Sequence, residues 1–371
     1  MLISQKTKIE GLSSVKGFSS LRVLFYHLSL SFFRGSTGFD NKTGLMVFSE
    51  NYPFWLYLLG EFRVGVNVFF FVSGYLIHAL YAKKIFDIRY ASFFVKKRLL
   101  RLLPPYYVSI LVSVAGLLIL GGSIGFKDIL WHILCIHNFF NETSFTIQAV
   151  YWFVAVEIQI CIIYTLYRFF IQQFFSAFSV KHFFIASLIV SVGLKLFFYF
   201  SENDLTQLKL ESIDNTLMRL PDWIIGAVAY EYRYKIANLR FKGLISALLI
   251  GTSLCLSQYF VFNYFLSDLC HALAFCLIIP VIIQKKLNFP ILNFINKMSF
   301  TFYLYHFMIY SIWDVFWTKS LHLERLPGNE RLFIILTGIP VTLLSSYLLY
   351  QFIEIPIKAY FARYTQQEGN R

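Results

Sequence analysis

Polar and charged positions along this chain are gathered into short clusters separated by long apolar runs. A helix needs about 20 predominantly apolar residues to cross a hydrocarbon core roughly 30 Å thick. Ten segments meet that length: 14–33, 64–82, 104–122, 150–170, 183–200, 216–232, 243–262, 268–284, 296–315 and 332–353. The pattern predicts an all-α, polytopic integral membrane protein of about ten transmembrane helices. It is read as a single membrane domain over 1–371, ending in a short tail at 354–371. No Gly/Ser linker, repeat or low-complexity tract divides the chain. The opening MLISQKTKIE is polar, and no uninterrupted apolar stretch with a small-residue cleavage site follows it, so no cleaved signal peptide is expected.

Orientation follows from Lys and Arg, which concentrate on cytoplasmic loops. With the N-terminus inside, most of the 33 basic residues fall on cytoplasmic segments, which predicts that both termini are cytoplasmic. The strongest contributor is AKKIFDIRYASFFVKKRLLR (82–101), with seven Lys or Arg against one acidic residue. The loop SENDLTQLKLESIDNT (201–216), expected outside, is acidic.

Composition agrees. The chain is 57% hydrophobic and 14% charged, with a mean hydropathy of +0.61, far from what a soluble domain of this length needs to fill its core. The 43 Phe and 24 Tyr suit helix packing and interfacial belts. A net charge of +13 would suit a nucleic-acid partner only as a soluble basic patch. Here the basic residues sit at the ends of apolar runs, so no nucleic-acid partner is expected. The five cysteines show no paired C-x-x-C spacing, which supports neither a disulfide framework nor a metal site.

The first apolar segment, VKGFSSLRVLFYHL (15–28), carries Lys16, Arg22 and His27. Charged groups in hydrocarbon cost about 2.5–3.5 kcal/mol each on insertion scales, so these three need a protein interior or a water-filled cavity to face. At about 100° per residue, Lys16 and His27 return to within about 20° of one helical face, roughly 16 Å apart along the axis. Arg22 points elsewhere. An imidazole with an ordinary pKa of about 6.5 can act as a general base without a metal; the bland reading is a histidine hydrogen-bonded between helices.

Three further stretches bear on that choice. GVNVFFFVSGYLI (65–77) places a Ser-Gly pair in the second span, where small residues permit close helix approach. Ser73 reads as a packing residue, since no Gly-x-Ser-x-Gly elbow surrounds it. KKRLLRLLPPYY (96–107) sets Arg98 and Arg101 one turn apart, just before prolines expected to open the third span. YWFVAVEIQICIIY (151–164) puts Glu157 inside the fourth span, where an acid needs a partner or a cavity.

Together these stretches resemble the membrane acyltransferase 3 family of bacterial O-acyltransferases. Lys16 to His27 fits its opening signature, a basic residue, ten residues, then His, with Lys where Arg is commoner. GVNVFFFVSGYLI is similar to G-V-D-x-F-F-x-x-S-G-[FY]-L-I, with Asn67 where Asp is frequent. RLLRLLPPYY resembles R-x-x-R-x-x-P-x-Y, and WFVAVE keeps the Trp-x4-Glu spacing of W-S-L-x-x-E without its Ser. MSFTFYLYHF is similar to the ninth-span motif ending Tyr-Leu-x-His-x, and FIEIPIK to the closing x-x-E-x-P. The six matches run in order from residue 16 to 358.

The resemblance implies transfer of an acyl group, usually acetyl, from cytoplasmic acyl-CoA to a hydroxyl of a cell-surface or exported polysaccharide or glycolipid, in the bacterial inner membrane. Acetyl-CoA is then a donor substrate, and no tightly bound cofactor is expected. His27 is the catalytic candidate, as general base for the acceptor hydroxyl or as a covalent acyl relay. Glu157 orients or charge-balances the imidazole, or pairs with Arg22. CoA is a polyanion, so Arg98 and Arg101, with Lys16 near the same mouth, suit its phosphates; the bland reading is a positive-inside anchor. Trp152 stacks on donor or acceptor, or sits in an interfacial belt. Arg219, near the outer end of span six, is a candidate acceptor contact, and His306 a further substrate-binding candidate in an aromatic setting. His78, His132, His137, His182, His271 and His322 carry no functional assignment. Many members carry a second, secreted esterase-like domain of the SGNH type; this chain is read as the stand-alone form.

Two other classes compete. A transporter or flippase of a lipid-linked glycan would also carry many spans and midplane ionisable groups, but no inverted repeat is visible, and the reactive residues crowd the first four spans. A lipid-linked glycan polymerase predicts a large Arg-rich outside loop, whereas residues 34–63 hold only three basic residues.

Overall fold

The computed structural model describes residues 5–32, 38–39, 42, 46–47, 63–119, 121–174, 178–205, 208, 214–285, 288–320 and 328–361. Its principal helices are α1 (Gln5–Phe32), α2 (Arg63–Tyr81), α3 (Ile88–Ile119), α4 (Phe126–Ile133), α5 (Trp152–Phe174) and α6 (Val180–Ser201). They continue as α7 (Thr216–Glu231), α8 (Lys242–Leu256), α9 (Ser267–Gln284), α10 (Pro290–Lys297), α11 (Ser299–Ser320) and α12 (Gly328–Leu349). Each of the ten expected segments overlaps a helix, although 243–262 runs past the end of α8 and 296–315 begins in α10, and fewer than ten of the described helices have the length and hydropathy of a membrane span. Five stretches, Val64–Tyr81, Ile88–Ile119, Trp152–Ile171, Val180–Ser201 and Phe333–Phe361, are long and apolar enough to cross a membrane. The extended structure among the described residues is a two-residue antiparallel pairing, Gly38 with Val47 and Phe39 with Met46.

Two boundaries differ from the sequence reading. The third span does not open at its prolines: α3 starts at Ile88, and Pro104 and Pro105 lie inside it. The Leu, Lys and Arg of the basic segment are good helix formers, and they carry the helix through the prolines despite the missing N–H groups. After α12 a π-helical turn, Tyr350–Glu354, leads into a further helical stretch to Phe361, so the described part of the expected tail, 354–361, is helical.

The chain forms two compact units. Unit one comprises residues 1–29, 33–85 and 170–296, and unit two residues 30–32, 86–169 and 297–371. In unit one, α2 and α7 run parallel in a register set by small residues. A Cβ on Gly74 would overlap the Trp223 carbonyl oxygen, and one on Gly226 the Phe71 carbonyl oxygen; only glycine lets the two backbones approach this closely. The register carries polar pairs at both ends, Asn67 with Arg219 and His78 Nε2 with Glu231 Oε1 at 2.7 Å. Asn215 starts α7 by accepting from the N–H groups of Leu217 (3.1 Å) and Met218 (3.3 Å). Phe71, Val72, Ile225, Ala229 and Phe275 form the core of this unit.

Unit two is rich in buried tyrosine. Tyr106, Tyr151, Tyr164 and Tyr305 are fully buried; Ser113 Oγ lies 2.9 Å from the Tyr151 hydroxyl, and Tyr303 donates to the Val150 carbonyl at 2.8 Å. Between α3 and α5, His132 and His137 stack face to face, centroids 3.8 Å apart and planes 10° off parallel, both fully buried. The His132 Nδ1–H donates to the Asp128 carbonyl at 2.8 Å. Burial pushes His132 down to about 4. Burial and the neighbouring imidazole hold His137 well below its ordinary range, against a partial offset from the Tyr151 and Trp131 carbonyls.

Both rings are therefore neutral in the folded protein at pH 7. An unfolded chain takes up protons at pH values below about 6.5 that the folded pair refuses, so folding stability falls as pH drops from about 6.5 towards 4. The expected slope is about 1.4 kcal/mol per pH unit for each histidine. Thermal unfolding of detergent-held protein between pH 7 and 4.5 checks this: His132→Phe/His137→Phe should unfold with a visibly flatter pH dependence than wild type, and an unchanged slope would assign the acid sensitivity elsewhere.

Candidate active site

On α1, Lys16, Arg22 and His27 are half-buried in unit one. The Lys16 carbonyl accepts from Ser20 Oγ at 3.1 Å. The His27 Nδ1 lies 3.0 Å from the Val23 carbonyl oxygen, one turn back. A carbonyl can only accept, so Nδ1 carries the proton and Nε2 bears the lone pair of the neutral ring. Tyr26 packs edge-on against the imidazole, centroids 5.1 Å apart. The α1 backbone thus selects the tautomer whose outer nitrogen is basic.

Arg219 lies in the same unit in different company. It is 3% exposed, and its Nη1 reaches Asp268 Oδ2 at 2.8 Å while Nη2 reaches Asp222 Oδ2 at 3.2 Å and donates to Asn67 Oδ1. Asn67 Nδ2 donates to Asp268 Oδ1 at 3.1 Å and lies 3.4 Å from His271 Nδ1. One guanidinium, two carboxylates, an amide and an imidazole from α2, α7 and α9 make a buried network, and Phe70 stacks on its cation at 5.2 Å. Asp222 and Asp268 also border a cavity of about 20 Å³ with Lys195 and Ser191, enough room for about one water. Lys195 donates to the Tyr264 carbonyl at 2.8 Å.

In unit two, Arg98 and Arg101 occupy adjacent turns of α3, with Arg98 over the Phe94 ring at 5.6 Å. Glu157 and Glu354 act electrostatically on Arg101, and Cys161, one turn after Glu157 on α5, feels Glu157 and both arginines. Trp152 is buried at the start of α5, beside Phe153. His306 is fully buried; its Nδ1 lies 3.0 Å from the Phe302 carbonyl and 2.9 Å from that of Tyr303, and its ring stacks on Phe302.

Sequence reasoning missed Asp222, Asp268, His271 and Lys195 in unit one, and in unit two it met Glu354 only within the closing motif FIEIPIK, without a role. Asp222 left a trace, the (i,i+3) spacing from Arg219; Asp268 and His271 left none. His322 lies outside the described residues. The five cysteines are free thiols.

A family model described as an acyltransferase domain matches residues 9–351. The chain belongs to the acyltransferase 3 family. The acyltransferase 3 match reaches into both units and covers every sequence-predicted site residue, ending before Glu354. Among its relatives, the O-acetyltransferase candidate SAS0844 of Staphylococcus aureus strain MSSA476 is 24% identical over 94% of this chain and 60% of its own length. The O-acetyltransferase OatA of Staphylococcus aureus strain NCTC 8325 is 23% identical over 94% of this chain and 57% of its own. The chain thus spans about three-fifths of the length of the curated relatives it matches. No solved structure matches it.

Proposed function

We propose that this acyltransferase 3 protein is a membrane-embedded O-acyltransferase of the bacterial inner membrane, with ten spans and both termini cytoplasmic. It moves an acetyl group from cytoplasmic acetyl-CoA to a hydroxyl of an exported or cell-surface saccharide, lipid-linked or free. The observation that carries this reading is His27, an ionisable group inside an apolar helix whose Nδ1 is committed to a backbone carbonyl. As general base, Nε2 takes the proton of the acceptor hydroxyl while its oxygen attacks the thioester carbonyl; the departing CoA sulfur receives the proton, leaving an ester and free CoA. In the relay form, Nε2 attacks the thioester carbonyl and the C–S bond breaks to release the CoA thiolate; the acyl-imidazolium then passes its acyl group to the acceptor hydroxyl, whose proton returns to the imidazole and goes on to the CoA sulfur, leaving an ester and free CoA.

Lys16 lies on the same helix face towards the cytoplasmic mouth, where its charge favours a polyanionic donor. Arg98 and Arg101 hold the CoA phosphates, and Glu157 balances the charge of the reacting groups. Trp152, His306 and Arg219 are the candidates for saccharide contacts.

The donor site is testable in purified protein held in nanodiscs. A contact to a non-reacting part of a substrate contributes about equally to ground and transition states, so its loss appears mainly in KM. Arg98→Gln and Arg101→Gln should each raise the KM for acetyl-CoA by about tenfold, the order expected for one charge-assisted hydrogen bond. The saccharide KM should hardly move. Wild-type acetyl-CoA affinity in both variants would reduce the pair to a topological anchor and move the donor site elsewhere on the cytoplasmic face, first to Lys16 and the loop EYRYKIANLRFK (231–242).

A further inference from the structure

The short helix α10 is held against α1 beside Lys16. A Cβ on Gly17 would lie 1.9 Å from the Leu292 carbonyl oxygen and 2.9 Å from the Leu292 Cα, so the two backbones touch there and only glycine fits. One turn earlier on α1, Ser14 Oγ accepts from the Phe289 N–H at 3.0 Å and donates to Asn293 Oδ1 at 2.8 Å. Pro290 opens α10, where its missing N–H costs nothing. Ile295 is buried, and the polar Asn293 is turned to the protein by its bond to α1, whereas Ile291 is 75% and Phe294 46% exposed. A helix in water turns its polar residues outward and its apolar arc inward; here an apolar edge is turned out. Lys285 and Lys297, both exposed, flank it. Residues 285–289 alone join α10 to α9, and Met298 alone joins it to α11. Its contact with residues 14–17, where the apolar run of α1 begins, sets it at the level of the membrane boundary. At that level an exposed Ile–Phe edge flanked by lysines fits acyl chains beneath anionic headgroups.

We propose that α10 is an interfacial helix seated in the headgroup layer of the bilayer, with Ile291 and Phe294 in lipid, and that through Ser14 and Gly17 it holds α1 in register. Ser14 and Gly17 are positioning residues. They fix α1 one residue from Lys16, and a slide or rotation there is carried along the helix to His27. The proposal rests on the reading that Lys16 and His27 serve acyl transfer. A misplacement of about 1 Å at a reacting group can cost about 100-fold in rate, so a small shift of α1 against α10 has a large effect on the chemistry.

Ile291→Trp in nanodiscs, read as the fluorescence difference from wild type, locates α10. The added indole should be quenched most by lipid brominated near the headgroup end of its acyl chains, less by lipid brominated near the methyl end, and hardly by iodide. Strong iodide quenching with none from brominated lipid would place α10 in water, and strongest quenching from the methyl-end label would place it in the bilayer core; either result overturns the proposal. Steady-state kinetics of the purified protein read the contact with α1. Gly17→Ala should lower kcat about ten- to hundredfold with a wild-type size-exclusion profile. Ser14→Ala should lower kcat by a smaller factor, which Ser14→Thr, keeping the hydroxyl, restores. If His27→Ala transfers acyl groups like wild type, the reading of α1 itself fails. If His27→Ala is inactive while Gly17→Ala and Ser14→Ala turn over like wild type, that reading stands and the positioning role of α10 is overturned. Should Gly17→Ala fail to accumulate, the Ser14 pair decides: a loss in Ser14→Ala that Ser14→Thr restores supports the proposal, and wild-type kcat in Ser14→Ala overturns it.

Discussion

Replacing His27 with alanine is expected to abolish acyl transfer while leaving the protein inserted and abundant. Alanine is the better helix former, and the imidazole makes its described hydrogen bond within its own helix, to Val23, so α1 should survive the change. The chemistry should not. Loss of a positioned general base costs typically 10²- to 10⁴-fold in rate, and loss of an acyl-carrying nucleophile removes the route altogether. A deletion strain complemented with His27→Ala, compared with wild type for protein level and for O-acetyl groups on its surface saccharide by NMR, separates the two effects. Normal acetylation from a well-expressed variant would remove His27 from the mechanism. Trapping labelled acetyl on His27 of the wild-type protein after brief exposure to acetyl-CoA would select the relay form over the general base.

The second large effect concerns folding. Arg219 bridges the buried carboxylates of Asp222 and Asp268. Arg219→Met should prevent accumulation, because two negative charges would remain in an interior where breaking a buried ion pair costs about 3–5 kcal/mol. That is a large part of a typical stability of about 5–15 kcal/mol. Neutralising the network as a whole, in Arg219→Met/Asp222→Asn/Asp268→Asn, should restore much of the folded protein, as read by size-exclusion profiles of a fluorescent fusion. A folded but inactive Arg219→Met would instead give the guanidinium a direct role at the acceptor. Arg219→Lys refines the comparison: an ammonium keeps the charge but cannot span both carboxylates with the same fork.

These two residues also mark how far sequence reasoning reaches. His27 is legible because an imidazole in an apolar run is conspicuous by itself, and its spacing from Lys16 follows from helix geometry alone. Arg219 is equally conspicuous, yet its partners are not. Asn67 lies 152 residues away and Asp268 49 residues further on, and nothing in the spacing of either points to Arg219. Glu157 illustrates the same limit. The sequence leaves it between His27 and Arg22, whereas packing in unit two adds Arg98 and Arg101 as electrostatic neighbours.

By itself the sequence determined ten apolar helical segments, the arginine pair one turn apart, the Lys16–His27 face and the motifs that carry the family. All of these depend on short-range chain geometry or on the transfer of one segment into lipid, and hydropathy and periodicity report both. Tertiary structure alone decided that α2 runs beside α7 with glycines in contact, that Arg219 is shared by Asp222 and Asp268, that α3 continues through its prolines, and that the Glu354 carboxylate accepts from the Thr301 N–H in the first turn of α11. In a bilayer, many helix arrangements satisfy the same hydropathy profile, because lipid tails solvate an apolar face as well as another helix does. The choice among them falls to close packing at small residues and to hydrogen bonds between polar groups far apart in the chain.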